Sequence, residues 1–429
     1  MTSEKTWFGH PRGLTVLALT NTWEQFSYYG MRALLVYYMT KQLLMGQSTS
    51  SVVYGVYTGC AYFTPLIGGL IADRVLGKKR AIIIGGSVMA LGHFMMTLEP
   101  LFYVALATIA IGNGLFLPSL PSQIGDLYER GDPRAGRAYN VYYVGVNIGG
   151  FLAPLICGTL GEVFGWHWGF GAAGVGMVLG LVIYLWGQRY LPAQTQTKLP
   201  RTEKNSMPGE NMARDTVLLL FGLGVAVTVF RSAYEQIGNT VALWADTGVD
   251  KVAGQFAIPM TWFISLNPLC VMLMTPVLLA WWRRREAAGF AQLPTQRMAT
   301  GALIVGASYL LLAALSFQAD DVDVRWPWFA LFFIVLTFGE LFILPTGLGL
   351  FARLAPRRLG ATTVASWFLA SFAGSLAAGL VGSLWTYMSH PLFFALLAVI
   401  CAVSALGLRL MDARARLVAG DFQRRADPG

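Results

Sequence analysis

Charged side chains are scarce in this sequence. Asp, Glu, Lys and Arg make up 12% of its 429 residues, whereas 55% of the residues are hydrophobic and the mean hydropathy is +0.55. A soluble domain usually carries about 25% charged residues, so the composition argues against a soluble enzyme. The 48 glycines are typical of closely packed membrane helices. We therefore expect a membrane protein.

Cysteine and histidine are also rare, with four residues of each. The cysteines all lie in apolar stretches, and they are Cys60, Cys157, Cys270 and Cys401. Their spacing suggests neither a metal site nor a disulfide framework. His93 stands alone in its apolar stretch, and the sequence has no nucleophile elbow and no phosphate-binding loop. We expect no enzymatic activity and no metal.

Long apolar runs recur along the chain. A bilayer-spanning helix needs about 20 apolar residues, and twelve runs approach that length. Their approximate bounds are 13–39, 51–72, 80–99, 101–122, 137–160, 168–187, 214–245, 252–282, 298–317, 327–350, 360–384 and 390–410. An even number of spans places both termini on the same side of the membrane.

The formal net charge of +9 is unevenly distributed. With the N-terminus in the cytoplasm, the outer side keeps only Lys41, Lys251 and Arg325 among the basic residues, and the outer loop at 320–325 is acidic. This is the positive-inside pattern. We predict a multi-pass protein of the cell (inner) membrane with both termini cytoplasmic, and no nucleic-acid partner. The first apolar run is too long for a signal peptide, so we expect none that is cleaved.

One polar stretch separates six spans from six. Residues 189–213 are rich in Pro, Gln, Thr, Lys and Glu and lack apolar periodicity. We predict an N-terminal six-helix bundle at 1–188, a cytoplasmic linker at 189–213, a C-terminal six-helix bundle at 214–410 and a basic cytoplasmic tail at 411–429. Two such bundles are typical of transporters that bind substrate near the membrane midplane.

Ionisable side chains lie deep in several of the apolar spans: Glu24, Arg32, Arg231, Glu235 and Glu340. A charge at the bilayer centre costs at least about 2.5–3.5 kcal/mol on insertion scales and by default indicates function; a structural ion pair is the alternative. An arginine can bind a carboxylate through two parallel hydrogen bonds. A carboxyl group in a low-dielectric cavity can hold a substrate ammonium or carry a proton. The set predicts a polar path for a zwitterion and protons.

Several motifs resemble those of one transporter family. Residues 21–35, NTWEQFSYYGMRALL, are similar to the first helix of proton-dependent oligopeptide transporters, which typically contains Glu-x-x-Glu-Arg-Phe-x-Tyr-Tyr-Gly-Met-Arg. Residues 69–80, GLIADRVLGKKR, resemble a cytoplasmic loop of the major facilitator superfamily, to which that family belongs. Further similar motifs occur at 62–65, 132–134, 142–149, 234–236, 265–268, 339–348 and 366–368. The resemblance implies an all-α membrane protein with the major facilitator fold and twelve transmembrane helices in two six-helix bundles.

The resemblance also implies roles for individual residues. Substrate-binding residues would be Tyr28, Tyr29, Arg32, Tyr62, Asn147, Asn267, Glu340, Trp367 and Phe368, with Glu340 holding the amino end of a peptide. Proton coupling and gating would involve Glu24, Arg32, Glu235 and Glu340, with Arg32 and Glu235 as an outer gate pair. Asp73 and Arg74 would contribute to a cytoplasmic latch, in which Asp73 near a helix end pairs with basic groups of a neighbouring helix; charge that only sets the topology is the alternative. Ordinary helix packing is the alternative for each aromatic residue and each asparagine.

Three positions depart from the family pattern. Asn21 and Gln25 replace a Glu and an Arg of the first-helix motif, and Leu117 replaces a Lys tied to proton coupling and to the carboxyl end of the peptide. Removing both members of a buried charge set costs less than removing one. Arg231, where the family has an aromatic or apolar residue, lies four residues before Glu235 on one helix face. Either the two neutralise each other, or Arg231 supplies the missing carboxylate-binding site or controls the proton affinity of Glu235.

The sequence thus predicts a proton-coupled symporter that imports di- and tripeptides by alternating access. Its partners would be small peptides and the lipid bilayer, it would act as a monomer, and it would need no cofactor besides the coupling proton. The departures keep an alternative open, which is an uncoupled or differently coupled facilitator of another small zwitterionic or anionic metabolite. Counterflow without a proton gradient would separate these two functions.

Overall fold

The structure, a computed structural model, describes residues 6–7, 9–129, 132, 134–192, 210–290, 292–318, 323–354 and 360–418. Most of these residues are helical. The α-helices are α1 (Arg12–Tyr37), α2 (Gln47–Ile71), α3 (Lys78–Met95), α4 (Phe102–Gly125), α5 (Arg134–Ala153), α6 (Trp166–Gly187), α7 (Glu210–Tyr234), α8 (Thr240–Gly248), α9 (Thr261–Ala287), α10 (Pro294–Gln318), α11 (Trp326–Leu354), α12 (Gly360–Ser383) and α13 (His390–Leu410). Residues 412–418 are also helical.

Short irregular elements extend or link these helices. The π-helical segments are Tyr38–Gln42, Ala72–Leu76, Pro154–Gly158 and Leu160–Phe164, and the 3-10 segments are Glu99–Leu101, Gln188–Tyr190, Glu235–Gly238 and Leu384–Tyr387. Within the described residues, six two-residue strands form three small pairs. β1 (Thr6–Trp7) and β2 (His10–Pro11) are antiparallel, as are β4 (Val252–Ala253) and β5 (Phe256–Ala257), while β3 (Val249–Asp250) and β6 (Val324–Arg325) are parallel.

Ten helices in the described residues are long and apolar enough to cross a membrane, judged by length and composition. α1 and α3 are not among the ten; α1 contains many polar residues besides Glu24 and Arg32, and α3 begins with the basic residues 78–80. Both coincide with predicted spans. With α7 and α8 taken together as the seventh span, the helices match the predicted order and confirm the all-α membrane class.

Two span boundaries differ from the sequence prediction. The eighth span was predicted to begin near residue 252, but α9 begins at Thr261 after the β4–β5 hairpin. Gly254 turns this hairpin with a φ of +67°, which favours glycine, and Pro259 precedes the helix. The seventh span is broken after Tyr234 by the 3-10 segment Glu235–Gly238. Hydropathy alone misses both features, because apolar residues extend from residue 252 through the hairpin and flank the short polar segment at 235–240 on both sides.

The chain divides by packing into two compact units. Unit 1 comprises Met1–Thr197 and Lys251–Met272, and unit 2 comprises Lys198–Asp250 and Leu273–Gly429. The first boundary falls in the predicted linker, of which residues 193–209 lie outside the described part of the chain. Residues 251–272 were assigned by the sequence to the C-terminal bundle, yet they pack with unit 1. Consequently α9 begins in unit 1 and ends in unit 2.

Glycines allow close helix contacts inside unit 1. α1 packs against α5 and α6, α2 against α4, and α3 against α4 and α6. A Cβ added at Gly114 on α4 would lie 2.9 Å from Thr64 on α2, and one at Gly112 would lie 2.6 Å from the Gly85 carbonyl on α3. Small residues at such contacts let membrane helices pack backbone to backbone.

Unit 2 uses the same type of contact around an aromatic core. α10 packs against α11 and α13, and α7 packs against α12 and α13. A Cβ at Gly301 on α10 would lie 2.5 Å from the Gly339 carbonyl on α11. The core includes Trp244, Phe329 and Phe333, each with at most 1% of its surface exposed. These close contacts fix the helix faces that carry the predicted functional residues.

Candidate functional site

The variant first-helix motif forms a buried polar cluster on α1. Glu24 is 1% exposed, and the side-chain amide of Gln25 donates a hydrogen bond of 2.7 Å to its carboxylate. Asn21, also fully buried, donates from Nδ2 to the carbonyl of Tyr142 on α5 at 3.4 Å. At position 25, where the family motif has an arginine, the partner of Glu24 is therefore a neutral amide.

The backbone of α5 lies directly against this cluster. A Cβ at Gly149 would lie 2.9 Å from the backbone nitrogen of Phe26 and 3.0 Å from the Cβ of Gln25. A Cβ at Gly145 would lie 2.8 Å from the Thr22 hydroxyl. The two glycines thus let α5 approach the face of α1 that carries the Glu24–Gln25 pair and leave no space for a larger residue there.

Arg32 lies two turns beyond Glu24 on α1 and is oriented by α2. Its Nε donates to the hydroxyl of Tyr54 at 2.8 Å, and its guanidinium lies 5.6 Å from the centroid of the same ring. Tyr54 is fully buried. The position of the half-buried Arg32 side chain is therefore partly set by a buried phenol of the neighbouring helix.

Tyr28 and Tyr29 form the aromatic part of the predicted site in unit 1. Their rings meet edge to face, with centroids 5.3 Å apart, and both side chains are half-buried. A Cβ at Gly150 on α5 would lie 3.3 Å from the Tyr29 ring and 3.6 Å from Pro268 on α9. At Gly150, α1, α5 and α9 therefore come close together.

The two predicted asparagines flank this meeting point. Asn147 lies one turn before Gly150 on α5 and donates to the carbonyl of Tyr143 at 2.9 Å. Asn267 is half-buried and directly precedes Pro268 on α9. Tyr62, also predicted to bind substrate, is half-buried on α2. Unit 1 thus places Tyr29, Asn147 and Asn267 on neighbouring stretches of three helices.

A carboxylate that the sequence analysis missed holds the start of α9. Glu162, in the π-helical segment that ends the fifth span, accepts hydrogen bonds from the backbone N–H groups of Met260 and Thr261, both at 2.9 Å. It also accepts one from the Thr261 hydroxyl at 2.6 Å. The predicted fifth span ends at residue 160, so Glu162 lies outside it. The sequence feature that could have indicated the start of α9 is Thr261, because threonine is favoured at helix starts.

In unit 2, Arg231 and Glu235 form an ion pair on one face of the seventh span. Their side chains are only 5% and 1% exposed. Gly374 of α12 lies against Arg231, since a Cβ there would be 2.6 Å from the Arg231 Cβ. The structure therefore contains the neutralising i,i+4 pair, which was one of the two alternatives drawn from the sequence.

The break after α7 is held by the side chain of Gln236. Its amide donates to the carbonyls of Ser232 at 3.1 Å and Ala378 on α12 at 2.8 Å. Its carbonyl oxygen accepts from Thr240 at 2.9 Å and Asn239 at 3.2 Å. All these groups are buried, so Gln236 satisfies the Ser232 carbonyl near the end of α7 and links the break to α12 through the Ala378 carbonyl.

The remaining predicted residues of unit 2 lie on α11 and α12. Glu340 is 9% exposed and Phe368 is half-buried. Trp367 is 6% exposed and meets Phe351 edge to face at 5.4 Å. A Cβ at Gly347 would lie 2.5 Å from the Trp367 ring. Trp367 is thus packed into a glycine notch of α11.

The predicted latch residues Asp73 and Arg74 are exposed in the π-helical segment after α2. Within the described residues, neither side chain takes part in an ion pair. The ion pair in this region instead joins Lys78 at the start of α3 to Asp126 at the end of α4, at 2.7 Å. Lys78 also donates to the carbonyl of Ser122 at 3.3 Å.

Asp132 and Arg134 form a local ion pair at the start of α5, outside the membrane span. Arg134 donates from Nε to both carboxylate oxygens of Asp132 at 3.1 Å, and from Nη2 at 2.7 Å. These hydrogen bonds hold the pKa of Asp132 below its usual range.

Where the chain is described, we find no group of three His, Cys, Asp or Glu residues able to hold a metal ion.

Comparisons with known proteins identify the family that this chain is similar to. The sequence model of the POT family matches residues 79–208 and 206–395. The uncharacterized transporter YclF of Bacillus subtilis (strain 168) is 30% identical over 461 residues, which cover 93% of both chains. A di-/tripeptide transporter of Lactococcus lactis subsp. cremoris is 28% identical over 505 residues, which cover 98% of this chain and 99% of that protein.

A solved structure is similar to nearly the whole chain. It is a mutant of the peptide transporter POT in complex with alafosfalin, with 28% sequence identity, 97% of both chains covered and a TM-score of 0.89. This likeness confirms the predicted fold, which is the major facilitator fold with twelve transmembrane helices.

Proposed function

Because this chain belongs to the POT family, we propose that it imports di- and tripeptides together with protons by alternating access. The observation that carries this proposal is the burial of ionisable side chains in helices that cross a membrane. Glu24, Arg231, Glu235 and Glu340 are each at most 9% exposed. Intramembrane charges are costly to maintain and are typical of substrate and proton pathways. The similarity to a named di-/tripeptide transporter over 98% of the chain supports the substrate class.

The proposed substrate-binding residues lie on both units. In unit 1 they are Tyr28, Tyr29, Arg32, Tyr62, Asn147 and Asn267, and in unit 2 they are Arg231, Glu340, Trp367 and Phe368. Glu340 would bind the amino end of the peptide through charge. The aromatic rings would form side-chain pockets, and the asparagine amides can donate to or accept from peptide groups.

Glu24 is the first candidate for the proton carrier. Its hydrogen-bond partner is the amide of Gln25, which contains both a donor and an acceptor. Gln25 can therefore donate to an ionised Glu24 or, after rotation of the amide, accept from a protonated one. Glu235 is the second candidate, since it would have to leave the ion pair with Arg231 to exchange a proton. We also propose that Arg32 and Glu235 form the outer gate. Asp73 and Arg74 are the proposed residues of the cytoplasmic latch.

The departures from the family motif support an alternative function. Asn21, Gln25 and the half-buried Leu117 lack the charges that the family places there. With those charges missing, the protein would act as an uncoupled or differently coupled facilitator of another small zwitterion or anion. For either function we propose a monomer in the cell (inner) membrane with both termini cytoplasmic, on the basis of the Lys and Arg distribution.

Uptake of labelled dialanine into proteoliposomes tests this proposal. The assay is run with an inward proton gradient, with the gradient collapsed, and as counterflow. We expect accumulation of dialanine only with the gradient, and exchange in counterflow. Exchange without gradient-driven accumulation would favour the uncoupled facilitator. No dialanine movement by folded protein in either assay would contradict peptide transport for this dipeptide and direct the search to other zwitterions.

A further inference from the structure

One carboxylate fastens the first turn of α9 to the end of α5. Glu162 uses both of its oxygens: Oε2 accepts from the N–H of Met260, and Oε1 accepts from the N–H and the hydroxyl of Thr261. The three donor–acceptor distances lie between 2.6 and 2.9 Å. All the residues involved belong to unit 1. A single side chain therefore satisfies three donors at the start of a helix that lies about 100 residues later in the sequence.

Neighbouring contacts extend this junction along both helices. The indole N–H of Trp262 donates to the hydroxyl of Thr159 at 2.8 Å, and the Ser265 hydroxyl donates to the carbonyl of Phe151 at 2.8 Å. The Thr261 side chain occupies the place that a Cβ at Gly158 would take. Residues of both helices take part in these contacts, so the start of α9 is held at a defined position against α5.

A carboxylate suits this position for two physical reasons. The first N–H groups of a helix have no partner within the helix, and the helix N-terminus carries a partial positive charge that favours an anion. An amide of the same size at position 162 would replace one acceptor oxygen by an NH₂ donor, which cannot accept from a backbone N–H. The isosteric change Glu162→Gln would therefore break at least one of the three bonds while leaving the shape almost unchanged.

The junction lies in the part of α9 that belongs to unit 1. The first half of α9, up to Met272, packs with unit 1, and its second half belongs to unit 2. All the groups that form the junction lie in unit 1, so the junction fixes the first half of α9 against α5 within that unit. The first half of α9 also carries Asn267, which lies six residues after Thr261. The state of the junction therefore determines where Asn267 is held.

We propose that Glu162 is a positioning residue whose carboxylate clamps the start of α9 to α5, and that this clamp keeps the first half of α9 in the position that transport requires. The role of the clamp in transport rests on the proposed function. The clamp itself rests on the geometry of Glu162 and Thr261. Two separate measurements therefore test the clamp and its role in transport.

The first measurement is hydrogen–deuterium exchange of the purified protein without any peptide, read on fragments that cover residues 258–266. In Glu162→Gln we expect the Met260 and Thr261 amides to exchange about tenfold faster, because their acceptor is impaired. Glu162→Asp should restore part of the protection. Glu99→Gln is the matched control, since Glu99 is bonded to Gln42 and not to α9. Unchanged exchange in Glu162→Gln would overturn the clamp.

A double-mutant cycle shows whether the effect passes through Thr261. Thr261→Val removes one of the three donors and keeps the shape of the side chain. If the clamp is correct, Glu162→Gln combined with Thr261→Val should accelerate exchange less than the product of the two single effects. Independent, multiplying effects would contradict a direct interaction. Thr261→Val also keeps the test available if Glu162→Gln lowers the yield of folded protein.

The second measurement is dialanine counterflow with the same variants in proteoliposomes. A positioning role predicts that Glu162→Gln changes the maximal rate at least threefold while KM stays within about twofold, and that Glu99→Gln changes neither. Faster amide exchange with unchanged counterflow would contradict a role of the clamp in the cycle. If the wild-type protein moved no dialanine, the proposed function would fail, while the exchange experiment would still decide whether the clamp exists.

Discussion

The amide of Gln25 donates a 2.7 Å hydrogen bond to the carboxylate of Glu24 inside α1, where both side chains are at least nine-tenths buried. The first-helix motif of the family instead places an arginine beside this glutamate. A neutral amide has no charge that would oppose protonation of its neighbour. The chain thus keeps a carboxyl group in the membrane while losing the charged groups around it, and several predictions rest on that change.

Glu24→Gln should abolish gradient-driven dialanine accumulation and leave counterflow within about threefold of the wild-type rate. The variant keeps the size of the side chain and its hydrogen-bonding capacity but cannot carry a proton. The measurement is uptake with and without an inward proton gradient in the same liposome preparation. Glu99→Gln, which alters a carboxylate outside the cluster, is the control and should retain accumulation. Full accumulation in Glu24→Gln would assign coupling to another carboxylate.

Restoring the family residues at positions 21 and 25 should show strong coupling between them. Asn21→Glu alone adds a second buried carboxylate one turn from Glu24, which is unfavourable because like charges repel in a low-dielectric site. Gln25→Arg in the same chain supplies a counter-charge. We expect the double variant to be more stable than the sum of the single effects predicts, by at least about 1 kcal/mol.

Thermal unfolding in detergent measures this coupling for the four proteins of the cycle. Additive effects within about 0.5 kcal/mol would show that the two positions do not interact. The geometry argues otherwise, because both residues lie on the face of α1 that packs against α5.

Replacing only one residue of the Arg231–Glu235 pair should destabilise the protein more than replacing both. Arg231→Met leaves a buried carboxylate without its counter-ion and should lower the free energy of unfolding by about 3–5 kcal/mol. Arg231→Met combined with Glu235→Gln should recover most of that loss. Denaturant unfolding of both variants gives the comparison, and equal stability of the two would contradict the account of a mutually neutralising pair.

The same variants separate the two hypotheses for Arg231. If Arg231 binds the carboxyl end of the peptide, the double variant should fold but show a KM for dialanine raised at least tenfold. If the pair only neutralises charge, KM should stay within about twofold of the wild-type value. Counterflow at varied dialanine concentration distinguishes these outcomes, provided that the double variant has wild-type thermal stability.

Gly347→Ala should displace Trp367. The added Cβ would lie 2.5 Å from the indole ring and 3.0 Å from Met298, so at least one side chain must move. Overpacking of this kind costs about 1–3 kcal/mol, and thermal unfolding measures it. Gly349→Ala is the matched control on the same helix, because a Cβ there has no neighbour within 4 Å. Equal stability of the two variants would mean that Trp367 moves without cost.

The class, the order of the spans and the family could all be predicted from the sequence. Long apolar runs dictate membrane helices, and motifs such as that at 21–35 identify the family without any coordinates. The start of α9 could not be predicted, because the apolar run from residue 252 continues through a hairpin turned at Gly254. The assignment of residues 251–272 to unit 1 also depends on tertiary packing, which hydropathy does not report.

Individual partners within the candidate site were only partly predictable. The i,i+4 spacing of Arg231 and Glu235 indicated their pairing, because helix geometry places such residues on one face. No periodicity could indicate that Tyr54 is a partner of Arg32, or that Glu162 caps a helix about 100 residues away. Such partners come from different helices, and their proximity is set by how the bundle packs.

The central claim is that peptide and proton enter together, and one measurement tests it most directly. A pH-sensitive dye is enclosed in proteoliposomes with no imposed proton gradient, and dialanine is then added outside. We predict acidification of the interior with the wild-type protein and none with Glu24→Gln. Entry of labelled dialanine through the wild-type protein without acidification would contradict proton coupling and identify an uncoupled facilitator.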